Sequence, residues 1–557
     1  MATQEASASI NDALANASIS AGHASRCKDD SMQSNIYAIF FSDANLNFAL
    51  SEWLAVTEYL GVAYEVVPWS STLSHLASVA PQSREAAQLY SQGSSNKRIH
   101  NEQTPEWDSP FVLFHIPAGN EAVERICKRS VAIKDAWELW AEAADHAELH
   151  AKLQSPQGNA KWQKYCDERT SWKFDVLNFG YRISEYEQRA LFQGFSYMAA
   201  ALTGDIKMKG AELLVGVVQL HEKGLAAEAS KEARRAEKAK TGHITKPQHI
   251  FVGRKLQIEF GRDKVDVFDV KKRVYIGNTT MESEMSLRMA LMGLAGPGKI
   301  IYDPFTGTGS MLHAASLYDA YVLGAEIDVR ALRGKELAGP GKTGIMKVAE
   351  QYGCTHRYLD CLHMDFTQPA WRKEVYRDQG LFDAIITDPP YGVRAGAKKL
   401  GLRANGRHHD GPVIMPDGTP AHLTMDYHPP MRAYHLQDLL TDLMKQSSRL
   451  LKDDGRLVFF VPSISEEEDK KTHVPEHPDL VLIAKNYQDF GYWGRILITM
   501  RRKRRTDGAS GGFASDRNGS DTGGVRHDGF ISSSTTSFSR ANEDAHEFRN
   551  LFHNRSM

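Results

Sequence analysis

Apolar and polar positions alternate in two regimes along the chain. In the first half, Ile36–Phe41 is a short, uninterrupted apolar run, which predicts a buried strand. Residues 47–60 repeat apolar positions at helical spacing. A polar stretch rich in Ser and Gln, residues 81–104, reads as a loop before the apolar run 110–116. Residues 132–153, carrying Trp137, Leu139 and Trp140, predict a helix. Residues 171–176 and 212–220 are strand-compatible. From Lys299 the pattern changes to short apolar strands separated by helical stretches. Strands are predicted at 300–302, 321–325, 357–362, 382–387 and 456–461, with 480–490 and 495–500 as a closing pair. That alternation predicts a doubly wound parallel α/β sheet.

The polar segments divide the chain further. Residues 1–34 read as a disordered leader, and residues after 505 are too rich in Gly, Ser and Thr to offset ordering entropy. Residues 231–240 mix Lys, Glu, Arg and Ala, which fits a solvated helix or linker, or an RNA-facing surface. Residues 396–429 are rich in Gly, Pro, His and Asn and are expected to form a mobile loop over an active site. The basic run 501–505 fits a solubilising edge, a phosphate contact or a nuclear address.

With 557 residues, two to four domains are expected. The net charge of -2 means that any attraction to phosphate must come from local basic patches. The five cysteines, Cys27, Cys127, Cys166, Cys354 and Cys361, form no C-x-x-C pair, which argues against a disulfide framework or cysteine-rich zinc site. No metal site is expected. No apolar run approaches the roughly 20 residues of a membrane helix. The expected location is cytoplasmic.

Two turns carry chemistry. Residues 299–302 lead into Asp303-Pro304-Phe305-Thr306-Gly307-Thr308-Gly309-Ser310 and then a helical stretch. Glycines between a strand and a helix let a ligand approach the backbone. Leu312 stands where a dinucleotide site would carry its third glycine, and the Gly-Lys-Ser/Thr of a phosphate loop is missing. Asp303 would repel a pyrophosphate and attract a cationic amino acid moiety. Thr306, Gly307 and Gly309 are the expected cofactor-facing residues of the turn. Glu326, or Asp328 as second choice, ends the next strand where a carboxylate accepts from ribose hydroxyls. Asp365 follows the third strand and is a candidate acceptor for an adenine amino group.

The fourth strand ends in Asp388-Pro389-Pro390-Tyr391. An exocyclic amine is a poor nucleophile because its lone pair is delocalised. A side-chain oxygen and a backbone carbonyl that each accept one N–H bias the nitrogen towards tetrahedral geometry. Asp388 and the Pro389 carbonyl would supply those acceptors, the prolines stiffen the turn, and Tyr391 offers a face for base stacking.

Together these turns resemble the class I amino-methyltransferases. Residues 269–281, Asp383-Ala384-Ile385-Ile386-Thr387 and Gly392-Val393-Arg394 resemble the tRNA guanine-10 N2-methyltransferase family of eukaryotic type. The family's frequent Asp after Thr-Ser-Met is here Glu282, with Thr280 for the Ser, and the second strand ends in Glu326 where Asp is common. The resemblance implies a Rossmann-like class I methyltransferase domain at 298–505, preceded by an α+β ferredoxin-like/THUMP region at 35–250 and a linker at 251–297. It also implies S-adenosyl-L-methionine as cofactor, tRNA as substrate, and a small zinc-containing activator subunit as partner. An rRNA guanine-N2 methyltransferase, a DNA adenine-N6 methyltransferase and a non-enzymatic RNA-binding protein are the rival readings.

Overall fold

Residues 35–255 contribute one sheet of seven strands: β1 (Ile36–Phe41), β2 (Glu65–Val67), β3 (Phe111–His115), β4 (Ile133–Ala143), β5 (Trp172–Phe179), β6 (Leu213–Leu220) and β7 (His249–Lys255). Their order is β2-β3-β1-β4-β7-β6-β5, with only β5 and β6 paired in parallel. The computed structural model describes residues 35–42, 46–67, 110–179, 183–221, 247–277, 280–333, 344–372, 379–391, 396–401, 413–424, 429–464, 475–490 and 493–505. The leader, the 81–104 loop, the 231–240 run and the tail after 505 lie outside them.

One prediction fails instructively. Residues 132–153 were expected to be helical, but Ile133–Ala143 is the longest strand of this sheet and only His146–Gln154 is a helix. Ala, Glu and Leu favour a helix locally. Here β4 is paired along both edges, Tyr37 opposite Glu138 on one side and Trp137 opposite Lys255 on the other. Trp137 and Leu139 enter one apolar cluster while Ala136 and Trp140 enter others. Two ladders and burial on both faces outweigh helix propensity.

The second sheet contains β8 (Ile300–Asp303), β9 (Tyr321–Glu326), β10 (Tyr358–His363), β11 (Phe382–Thr387), β14 (Leu451–Ile464), β15 (Leu480–Asp489) and β16 (Trp493–Arg502). Its order is β10-β9-β8-β11-β14-β16-β15; the first five are parallel and β16 is antiparallel to both its neighbours. Between them, β12 (Lys398–Leu400), inside the segment 396–429 expected to be a loop, pairs with β13 (Met431–Ala433) just beyond it as a separate ribbon.

The span 251–297, expected to be a linker, is structured. It begins inside β7, and its helix Ser283–Met292 is buried at nearly every position. That helix packs against the helix Leu46–Leu60, and a single apolar cluster runs from Tyr37, Phe48 and Trp53 through Met289 to Leu312, Ile386 and Phe460. Glu52 and Arg288, both fully buried, pair across it at 3.3 Å. Glu52 also accepts from Ser130 and from the backbone of Val131 and Ala132, so neither charge is left unpaired in the apolar interior. The basic run is likewise engaged within the chain: Arg501 and Arg504 pair with Asp454, Arg505 with Asp453, and Arg502 donates to the Ser448 carbonyl. Four of the five cysteines are described, and all four are free thiols.

Candidate active site

The second sheet reverses its winding between β8 and β11. From β8 the chain proceeds outward through β9 and β10; from β11 it proceeds the other way through β14. Open α/β sheets bind ligands in the crevice at the carboxyl ends of such strands. Asp303 ends β8, and Asp388 follows the last residue of β11. Thr387 donates to Asp303 Oδ1 at 2.6 Å and so locks the two strand ends together.

A cavity of about 690 Å³ opens at this edge, within the usual size of a small-molecule site. Nine of the eleven expected site residues line it: Asp303, Thr306, Gly307, Glu326, Asp328, Asp388, Pro389, Pro390 and Tyr391. Gly309 lies behind the wall at a φ of +84°; a side chain there would be strained and would meet His313 and Ile345 at 3.0 Å. Asp365 is also off the wall. Its Oδ1 accepts from the Thr367 N–H at 2.8 Å and hydroxyl at 2.9 Å, and its Oδ2 accepts from the Leu400 N–H at 2.7 Å. It ties the β12 ribbon to the sheet, while its neighbours Met364 and Phe366 reach the cavity.

The acids differ in how they are held. Glu326 Oε2 accepts from the Gly307 N–H at 2.9 Å and Oε1 from the Asp328 N–H at 3.0 Å. It thus fastens the glycine turn to β9, and burial pushes its pKa up. Asp328 is partly exposed and clasped by Arg330 at 2.7 Å. Asp303 is fully buried. Burial, against the Thr387 and Phe305 hydrogen bonds, raises its pKa to about 7, with Glu326 and Asp388 adding to the rise. Asp388 Oδ1 is buried without a hydrogen-bond partner among the described residues, and burial raises that carboxyl to about 6 despite Arg495 nearby.

Sequence reasoning did not place Arg495, Lys398 or Tyr434 at the site and named Glu282 only as a departure from the family pattern; all four are on the wall. Arg495 had a readable signal: a guanidinium opening the apolar run 495–500 needs an acidic partner when buried. Lys398 and Tyr434 come from the β12 ribbon and its flank, in a segment with no strong periodicity.

Residues 103–259 match the family described as Tmrp11 THUMP N-terminal domain. Beyond that stretch, the tRNA (guanine(10)-N(2))-methyltransferase of Schizosaccharomyces pombe is 31% identical over 489 residues, covering 85% of this chain and 90% of that protein. The chain belongs to the tRNA (guanine(10)-N(2))-methyltransferase family. The Saccharomyces cerevisiae member is 31% identical over 72% of this chain and 87% of its own length. The Homo sapiens protein of that name, TRMT11, is 29% identical over 71% and 80%. Membership in this methyltransferase family excludes the non-enzymatic reading, and an α/β fold with a THUMP unit ahead of the site is the one expected above. Among the described residues, no helix is long and apolar enough to cross a membrane.

Proposed function

We propose that this chain transfers a methyl group from S-adenosyl-L-methionine to N2 of guanine 10 in tRNA, with Asp388 holding the reacting amine. The observation that carries this reading is Asp388, which with Pro389 and Pro390 lines a cavity bounded by the glycine turn and has a buried Oδ1 without a hydrogen-bond partner among the described residues. A buried acceptor with no partner is costly to a fold, and a base amine would satisfy it. The Pro389 carbonyl is the second acceptor and Tyr391 the stacking surface.

The cavity residues fit the cofactor. Gly307, at a φ of +52°, lets a ligand lie close to the backbone. Met364, Phe366, Phe305 and Ile327 give an apolar lining for a purine. Glu326 accepts backbone N–H groups of the turn and of its own strand end and keeps acceptor capacity for a ribose hydroxyl. Asp303 favours a cation beside it, which would restore its charge. When bound, the cofactor supplies an electrophilic methyl on a sulfonium. The chain's residues orient the amine, exclude water and take up the departing proton at Asp388, directly or through water.

The seven-stranded sheet of the first half, with its THUMP match, is the proposed RNA-gripping region, and residues 298–505 the catalytic one. A small zinc-containing activator subunit is the proposed partner. Leu359 is half exposed on the edge strand β10, apolar surface of the kind such a subunit would cover. A cytoplasmic location is consistent with the free thiols. The test is methyl transfer from labelled cofactor to unmodified tRNA, rRNA and DNA, with and without the activator, followed by nucleoside analysis. N2-methylguanosine at position 10 of tRNA supports the reading; label confined to rRNA or to adenine overturns it.

A further inference from the structure

Arg495 is an arginine on β16 with only 12% of its side chain exposed. Burying a guanidinium is costly unless its partners use it. Its Nε donates to Gln488 Oε1 at 2.7 Å, and its Nη2 to Glu282 Oε1 at 3.3 Å. Gln488 in turn donates to the same Glu282 oxygen at 2.9 Å. The guanidinium carbon lies 4.0 Å from the centre of the Phe460 ring. These contacts fix the group on three sides. On the fourth, Nη1 stands 4.0 Å from Asp388 Oδ2. The two oxygens of Asp388 are therefore unequal: Oδ2 turns to a fixed cation, and Oδ1 has no partner.

We propose that Arg495 is a positioning residue for methyl transfer: anchored by Gln488 and Glu282, it fixes the Asp388 carboxyl and keeps it an ionised acceptor for the target amine. This rests on the reading of Asp388 given above. The arrangement suits the chemistry, since an ionised carboxylate only accepts, whereas a protonated one would present a donor to an N–H. A cation at about 4–6 Å favours that charged form. The opposing influences are burial and the other acids of the cavity, Asp303, Glu326, Asp328 and Glu282; Lys398 is the remaining cation on the wall.

The experiment is single-turnover methyl transfer by the full chain, with its activator where required, to unmodified tRNA between pH 5.5 and 9. Arg495→Gln is expected to lower the rate at pH 7 roughly tenfold and to move the acid limb upward by about one pH unit. The deficit should shrink at high pH, and Arg495→Lys should restore most of the rate. An equal loss at every pH, or an unmoved acid limb, overturns the proposal and leaves Arg495 a structural clasp. If Arg495→Gln fails to fold, Gln488→Leu serves, because Gln488 is the uncharged acceptor of the Arg495 Nε–H. Loosening that anchor should move the acid limb upward, in the same direction as Arg495→Gln; no movement counts against the proposal. Asp388→Asn separates the two claims. Near-normal transfer by that variant defeats the reading of Asp388 itself, whereas an inactive Asp388→Asn with an unmoved limb in Arg495→Gln defeats only the role of Arg495.

Discussion

Glu138 in the first sheet and Asp388 at the edge of the second are both mostly buried carboxylates, and they are treated in opposite ways. Glu138 is buried too, yet hydrogen bonds from Lys164 and Tyr165 and the nearby Arg254 hold its pKa below the usual range. Asp388 has one cation at 4.0 Å and an orphaned oxygen, and its pKa is raised to about 6. A carboxylate that braces a fold is saturated with donors. One that waits for a substrate is left short of them, and the fold tolerates the cost.

The comparison breaks most visibly at Asp388. Asp388→Ala should lower kcat by about 10³-fold, in line with the loss of a preorganised charge-stabilising group, while tRNA affinity and Tm hold or Tm rises. Glu138→Ala should do the reverse. Removing one partner of a mostly buried ion pair costs about 3 kcal/mol, seen as a fall in Tm by calorimetry, with kcat of the folded fraction little changed.

Glu326 lies between the two cases, because it has both a structural bond to the Gly307 N–H and spare lone pairs. Glu326→Ala should raise the Kd for S-adenosyl-L-methionine about tenfold with little change in tRNA affinity, as measured by calorimetry. Unchanged cofactor binding would remove it from the site. The smallest effect is in the pH dependence of stability. Because the folded pKa of Asp388 is raised, its contribution to stability is full below the ordinary carboxylate range and is lost as pH rises through about 6. The depressed pKa of Glu138 gives the opposite sign: its contribution is present above the ordinary range and is lost as pH falls through the lowered value. Comparing Tm against pH for Asp388→Asn and Glu138→Gln should therefore give differences from wild type of opposite trend.

The second sheet was readable because its parallel strands are buried on both faces and appear as short apolar runs. Its two functional turns were readable because Gly and Pro mark strand ends. The first sheet was read less well. In Ile133–Ala143 the residues favour a helix, and only pairing with β1 and β7, 101 and 118 residues away by the contacts Tyr37 to Glu138 and Trp137 to Lys255, makes it a strand. Arg495 was missed for a related reason: it reaches Asp388 across a sheet order that local pattern does not encode. Asp365 sits where an acid was expected, yet a ribbon from the segment read as a loop claims its Oδ2.

The most direct test of the account is single-turnover methyl transfer to unmodified tRNA by Asp388→Asn, paired with its thermal denaturation. The account predicts a rate lowered by at least about 100-fold at a Tm equal to or above that of the wild type. A near-normal rate, or a lost rate accompanied by a collapse in Tm, would contradict it.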